Sequence, residues 1–347
     1  MPSIHAWGAA AAGKPLGPMT IARREPGPHD VSIEILFCGV CHSDVHQARD
    51  EWSGGLFPMV PGHEIVGRVT ARGGAAGKFQ VGDLAGVGCM VDSCRTCTFC
   101  TADLEQFCVK GNAPTYNGTE MDRTTPTYGG YSTQLVVDER YALRIPAGMD
   151  PAGAAPLLCA GITTYSPLRQ LGCKPGDRVG VVGLGGLGHM AVKLAASMGA
   201  HVTVLSSSEG KAADARRLGA TDFVVTKGSA LAVSRPLDLL IDTVSAPHDY
   251  NAYLGLLRPR GAMAIVGAPP SPSTLHAFSL IVGGKRLLGS LIGGIAETQE
   301  MLDHCGQHGI VSDIEVIPIQ KINEAYERML RSDVRYRFVI DLASLRS

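Results

Sequence analysis

The chain has 347 residues, 45% of them hydrophobic and 18% charged, with a formal net charge of -1 and a pI of about 6.8. That length suits two domains with a sizeable core. The near-neutral balance argues against nucleic-acid or anionic-membrane binding, which would want a basic face.

No stretch approaches the 18 or so apolar residues that a membrane span needs. Met1 to Lys14 lacks a basic flank before an apolar core and does not read as a signal peptide. The ten cysteines are spaced as in metal sites and not as in a secreted disulfide scaffold. A cytoplasmic location is expected.

The first 150 residues read as strands and loops. Val31 to Phe37 alternates apolar and polar residues like a half-buried strand. Gly62–Ala71, Gly82–Val91, Ser132–Val137 and Tyr141–Ile145 continue an all-β lobe. After Asp150 the character changes. Ala152–Leu171 predicts a helix interrupted at Pro167. Strands then alternate with helices. Val179–Val182, His201–Leu205, Phe223–Val225, Leu237–Asp242, Ala262–Val266 and Arg286–Leu291 are the strands. Gly186–Met198, Ala212–Leu218 and Tyr250–Leu257 are the helices. That order predicts a parallel, doubly wound sheet. The tail predicts helices over Ala296–His308 and Ile322–Arg331 and a closing strand at Arg337–Asp341.

Cys94, Cys97, Cys100 and Cys108 form a C-x2-C-x2-C-x7-C run. Four soft thiolates suit one tetrahedral Zn²⁺, and a closed thiolate set is structural, with no position left for substrate.

Gly183-Leu184-Gly185-Gly186-Leu187-Gly188 is a G-x-G-x-x-G loop that follows a buried strand and opens a helix. In that context it predicts dinucleotide binding, with the pyrophosphate at the helix N-terminus. A carboxylate ending the next strand would favour NAD. Here Ser206, Ser207 and Ser208 stand there, with Glu209 and then Lys211 beyond. Small hydroxyls and a cation suit a 2′-phosphate and favour NADP(H). The same serines also read as an ordinary helix-capping stretch.

Cys41, the pair His63-Glu64, and Cys159 lie far apart in sequence, and each alone is compatible with packing. Together they offer a Cys2His set of the kind that holds a catalytic zinc with one position open. Gly62 suits a sharp turn presenting His63. Ser43 and His46 follow Cys41 and can both carry a proton. Asp44 is placed to hold the second ring nitrogen of His63.

The stretches Gly39-Val40-Cys41-His42-Ser43-Asp44-Val45-His46, Pro61-Gly62-His63-Glu64, the four-cysteine run, Ala155-Pro156-Leu157-Leu158-Cys159-Ala160-Gly161 and the glycine loop occur in this order. The chain thereby resembles the zinc-dependent medium-chain alcohol dehydrogenases, and within them the cinnamyl alcohol dehydrogenase branch. The resemblance covers essentially the whole chain. It implies a GroES-like, β-rich catalytic domain over 1–152 and 293–347 and a Rossmann NADP-binding domain over 153–292, with the active site between them. It implies a catalytic zinc on Cys41, His63 and Cys159 with Glu64 as exchangeable fourth ligand, and so two zincs per chain. Ser43 and His46 would form a proton relay, and Asp44 would support His63. His42 would lie near the pyrophosphate and Thr163 near the nicotinamide. Ser206, Ser207 and Lys211 match the branch's 2′-phosphate pocket. A homodimer formed largely through the cofactor domains is also implied.

The expected reaction interconverts alcohols and aldehydes. Trp52, Leu56 and Ile292 are candidate substrate-pocket residues, although Trp52 reads equally as packing. The segment 116–127 departs from the family pattern and is expected on the surface. A zinc-independent quinone or enone reductase would lack the complete metal set. A non-enzymatic zinc module would want a basic patch, yet Arg95 is balanced by Asp103 and Glu105. A nucleotide-sensing regulator would have no need of Cys41, His63 and Cys159.

Overall fold

The computed structural model describes residues 3–227 and 231–346; Met1 and Pro2, where the signal-peptide reading begins, lie outside the described residues. Two compact units are present: Met1–Cys159 with Gly293–Ser347, and Ala160–Ile292.

The first unit is built on β1 (Asp30–Gly39), whose Val31, Ile33 and Ile35 are fully buried. β2 (Ile65–Arg72), β3 (Leu84–Val87), β4 (Gln134–Asp138) and β5 (Leu143–Arg144) join it. β1 pairs antiparallel with both β2 and β4, and β3 bridges β2 to β5. A hairpin of Ser3–Gly8 and Gly17–Ala22 precedes this sheet. The lobe is not purely strands and loops, as the sequence suggests: helix α1 (His42–Ala48) follows β1 directly.

The expected helix at Ala152–Leu171 is split elsewhere than at Pro167. A turn of helix at Pro151–Ala154 passes into a 3₁₀ segment at Ala155–Leu158. Cys159 then leaves helical geometry, at φ -129° and ψ -67°. Helix α2 (Ala160–Gln170) runs straight through Pro167. Pro167 lacks only the N–H that would reach the Thr163 carbonyl, and neighbouring packing holds the rest.

The second unit is a six-stranded parallel sheet. Its strands are β6 (Arg178–Val182), β7 (His201–Ser206), β8 (Asp222–Val225), β9 (Leu237–Asp242), β10 (Leu257–Ile265) and β11 (Arg286–Gly289). The spatial order β8-β7-β6-β9-β10-β11 matches the doubly wound expectation. The order reverses between β6 and β9, so the loop leaving β6 sits at the switch point, where ligands bind in such sheets. Helix α3 (Gly188–Ser197) starts within that loop.

From Gly293 the chain belongs again to the first unit. Helix α4 (Ile295–His308) precedes β12 (Ile314–Pro318), a strand the sequence did not announce. Helix α5 (Ile322–Leu330) buries Ile322, Ala325, Tyr326 and Met329 at helical spacing. β13 (Arg337–Asp341) pairs parallel with β12 and antiparallel with β1, placing Val339 opposite Gly39 and Asp341 opposite Phe37.

Candidate metal and dinucleotide sites

The four-cysteine lobe folds around its own sulfurs. Cys94, Cys97, Cys100 and Cys108 present atoms all within 4.8 Å of one another. Cys97 and Cys100 sulfurs are 3.5 Å apart, and Cys94 and Cys100 are 3.9 Å apart. A tetrahedron with zinc–sulfur bonds of about 2.3 Å has edges of about 3.8 Å, so the donor set fits zinc as found. Arg95 and Asp103 take left-handed φ of 63° and 57° to close the turns between ligands. The N–H of Thr96, with that of Cys97, holds the Cys94 thiol down to about 6. Burial pushes Cys100 up to about 12.

A second donor cluster gathers at the far ends of three segments. Cys41, His63, Glu64 and Cys159 also bring their ligand atoms within 4.8 Å of one another. Cys41 and Cys159 sulfurs lie 4.0 Å apart, again close to a zinc tetrahedron's edge. Cys41 is the N-cap residue of α1, and Cys159 follows the 3₁₀ segment. Gly62 delivers His63 from a φ of +105°, and a Cβ there would fall 2.8 Å from both Cys38 Sγ and Tyr131 Cδ1. No side chain fits this turn.

Asp44, fully buried, locks the geometry. Its Oδ1 accepts from His63 Nδ1 at 3.1 Å and from the Gly62 N–H at 3.2 Å. Its Oδ2 accepts from the Cys41 N–H at 2.8 Å and from the Tyr131 hydroxyl at 3.2 Å. With Nδ1 engaged, Nε2 is the imidazole atom left for a metal. The shared contact with Cys159 holds the Cys41 thiol well below the usual range, as a thiolate ligand requires.

Glu64 is fully buried and ion-paired with Arg337 of β13. Its Oε2 has no hydrogen-bond partner. Burial pushes its carboxyl up to about 7 even against the Arg337 charge. Such an orphaned, buried carboxylate oxygen beside two thiols and an imidazole marks a cation's place.

Ser43 and His46 project from α1. Ser43 Oγ is 3.7 Å from Cys41 Sγ. His46 Nδ1 bonds Glu51 Oε2 at 2.5 Å, and its ring stacks on Trp52 at 5.0 Å. His42, the first residue of α1, keeps an exposed surface, and the partial desolvation of its ring lowers its pKa. Trp52 and Leu56 are 54% and 48% exposed. The Leu56 N–H donates to Asn117 Oδ1 at 2.7 Å.

The segment 116–127 is not wholly on the surface. Tyr116 is only 4% exposed, and its ring stacks on His63 at 5.7 Å. Thr127 is buried as well, whereas Asp122, Arg123 and Thr124 are exposed. The polar run dominated the sequence reading and hid the aromatic at its head.

Several residues of this cluster went unread. Arg337, Glu51, Tyr116 and Tyr131 carry no motif. Glu51 alone had a signal, standing five residues past His46 on the same short segment.

In the second unit the glycine loop leaves β6 with Gly183 at φ +88°. A Cβ on Gly188 would fall 2.1 Å from the Gly183 carbonyl, so α3 can start here only with glycine. A Cβ on Gly185 would meet nothing within 4 Å, which is the open side a pyrophosphate needs. Gly186 and Leu187 form the turn into α3. Ser206 ends β7, buried, and Ser207 is exposed beside it. No side-chain cap bond forms at Ser208, whereas Ser206 Oγ accepts from the Ser208 N–H at 3.3 Å, a local turn bond at the end of β7. Lys211 Nζ donates to the Leu184 carbonyl at 2.7 Å, tying its cation to the glycine loop. Thr163 is buried on α2, and Ile292 closes the unit at a φ of 38°. After β9, Asp242 accepts from His248 Nε2 at 2.9 Å and from the Val244 N–H at 3.1 Å. Val244 walls the Gly183 turn.

Comparison with known proteins gives the family. Residues 27–147 match the alcohol dehydrogenase GroES-like domain, and residues 186–307 match the zinc-binding dehydrogenase domain. The chain is 54% identical over 346 residues to aldehyde reductase YahK of Escherichia coli, covering 99% of both chains. It is 54% identical over 350 residues to NADP-dependent alcohol dehydrogenase C 1 of Mycolicibacterium smegmatis, covering 100% of both. Among solved structures, a cinnamyl alcohol dehydrogenase of Sorghum bicolor superposes with a TM-score of 0.95 at 48% identity, over 99% of this chain and 98% of that one. The Helicobacter pylori enzyme complexed with NADP(H) gives 0.93 at 41% identity, over 98% of each. This chain belongs to the zinc-dependent medium-chain alcohol dehydrogenases, on the cinnamyl alcohol dehydrogenase branch.

Proposed function

We propose that the protein is an NADP(H)-dependent oxidoreductase interconverting primary alcohols and aldehydes, aromatic or aliphatic. The carrying observation is the convergence of Cys41, His63, Glu64 and Cys159 in one buried cluster braced by Asp44. When bound, zinc supplies Lewis acidity at the substrate oxygen, and the nicotinamide supplies or accepts the hydride.

The chain's own residues do the rest. Cys41, His63 and Cys159 would hold the metal, and Glu64, already ion-paired with Arg337, would be the exchangeable fourth donor. Ser43 passes the proton that the alcohol gains or loses. His46 exchanges that proton with solvent, and Glu51 fixes the ring that does so. Trp52 and Leu56, with Ile292, offer apolar surface to the substrate. In the second unit Gly183, Gly185, Gly186, Leu187 and Gly188 take the pyrophosphate, with His42 and Thr163 as further cofactor contacts. Ser206, Ser207 and Lys211 take the 2′-phosphate. Relatives named as NADP-dependent alcohol dehydrogenases and an aldehyde reductase support that cofactor and that substrate class.

A homodimer through the cofactor units fits the sheet edge at β11 and the exposed Phe278, Ile281 and Val282 nearby in sequence. None of the ten cysteines is paired in a disulfide, and their grouping as metal donors fits a reducing cytoplasm. No helix among the described residues is long and apolar enough to cross a membrane.

The test is a panel of aldehydes and alcohols assayed against NADPH, NADH and their oxidised forms, with zinc content measured on the same sample. NADPH-driven aldehyde reduction by two-zinc protein is expected. Fully metallated protein that transfers hydride with neither cofactor overturns the reading.

A further inference from the structure

Helix α4 carries a second kind of metal-binding arrangement, remote in sequence from both clusters. His304 and His308 stand one turn apart, at i and i+4, so their imidazoles rise from one face. Their ring centroids are 4.3 Å apart and the planes are inclined by 38°. His308 is exposed, His304 is half-buried, and exposed Glu300 stands one further turn back.

The helix beneath them is firmly held. At its start the Ile295 N–H donates to Glu105 Oε2 at 3.1 Å. One turn on, Gln299 exchanges bonds of 2.8 and 3.0 Å with the Arg144 backbone. On the buried face Met301, Leu302 and Cys305 are fully covered. The two rings are therefore presented at a fixed spacing before any ligand arrives, and little ordering entropy remains to be lost on binding.

The local field also favours a cation. The pair occupies the last turns of a 14-residue helix that ends at left-handed Gly309. Outward-facing carbonyls give that end partial negative charge.

We propose that His304 and His308 form a peripheral site for a divalent first-row transition ion. Imidazole nitrogen suits copper, nickel and zinc and does not suit magnesium or calcium, and copper should bind most tightly. Among the described residues, only the two clusters already described bring three or more such donors together. The histidine pair therefore supplies two ligands, and water fills the other positions. An ion held there clips the last turn of α4 to the turn before it and stabilises the first unit in proportion to free metal.

The probe is Ni²⁺, applied by equilibrium dialysis to tag-free, zinc-loaded protein, with nickel and zinc counted together by elemental analysis. One nickel per chain is expected with no loss of zinc. His304→Gln and His308→Gln should each weaken nickel binding about tenfold or more while leaving zinc content intact. His276→Gln, an exposed histidine in the other unit, should leave it unchanged. Nickel gained only as zinc is lost overturns the proposal. So does binding that is equal in wild type and both α4 variants, or absent from wild type at millimolar nickel.

Discussion

Asp44 and His63 are joined by a 3.1 Å bond inside a site where neither is open to solvent, and the same carboxylate also caps α1. One side chain thus sets both the tautomer of the His63 imidazole and the entry of helix α1, which carries the residues proposed for the proton relay. Tyr131, fully buried, adds a 3.2 Å bond to that carboxylate. Tyr131→Phe keeps the volume and removes the bond. Zinc affinity, read by chelator competition, should fall by about tenfold, and by 10- to about 100-fold in Asp44→Asn. Unchanged zinc retention in Tyr131→Phe would make that tyrosine mere packing.

His46 sits half-exposed between Glu51 and Trp52, where buffer molecules can substitute for it. His46→Ala should lose turnover at low buffer concentration and recover part of it at high concentration. Glu51→Gln should show the same pattern, more weakly. Losses independent of buffer would remove His46 from proton transfer.

In the proposed reading, cofactor choice rests on the end of β7 and on Lys211. Lys211→Ala should raise the KM for NADPH while affecting NADH far less. Because Nζ also tethers the Leu184 carbonyl, a small effect on both is expected. Ser206→Asp places a carboxylate where a ribose 2′-OH would be read and should reverse the preference toward NADH. Equal changes for both cofactors in both variants would dismiss the 2′-phosphate role.

The two clusters should empty independently. Cys97→Ser should lose one zinc per chain and make the 94–108 lobe more open to proteolysis, with the Arg95–Asp138 ion pair and the Glu105–Ile295 bond left to hold it. Cys159→Ser should lose the other zinc and leave the lobe resistant. Full metal content in Cys159→Ser would reject it as a ligand.

His248 gives a pH signature in the second unit. Burial, the largest single influence, would lower its pKa, but the hydrogen bonds to Asp242 and the Ala246 carbonyl and the nearby Asp242 and Asp249 charges together raise it. A raised folded value means the stabilisation is complete below the unfolded pKa of about 6.5 and fades as pH rises through the folded one. The melting-temperature gap between wild type and His248→Gln should therefore be largest near pH 6 and shrink toward pH 9. A gap that does not vary with pH would show that the imidazole contributes only shape.

What could be read in advance follows the range of each interaction. The parallel, doubly wound sheet of the second unit was legible because Val179–Val182 and its successors alternate with helices over short distances, though the order in which its strands lie side by side was not. The cysteine run and the glycine loop are local spacings. Helix α1 was missed because seven residues, with histidines and an aspartate among them, show no clear apolar period. Arg337 was missed because its partner Glu64 lies 273 positions away and only the β1–β13 pairing brings them together. Tyr116 was missed because its burial depends on His63, a tertiary neighbour that local polarity cannot announce.

The pairing of β13 with β1 has a consequence for biosynthesis. On the ribosome, Glu64 emerges early, and the whole segment 160–292 follows before Arg337 is made. Until release, the early lobe carries a bare sheet edge and an acid without its counter-charge. The part translated first is thus the part completed last. A nascent or prematurely terminated chain missing its final dozen residues is the form that chaperones and proteases would meet.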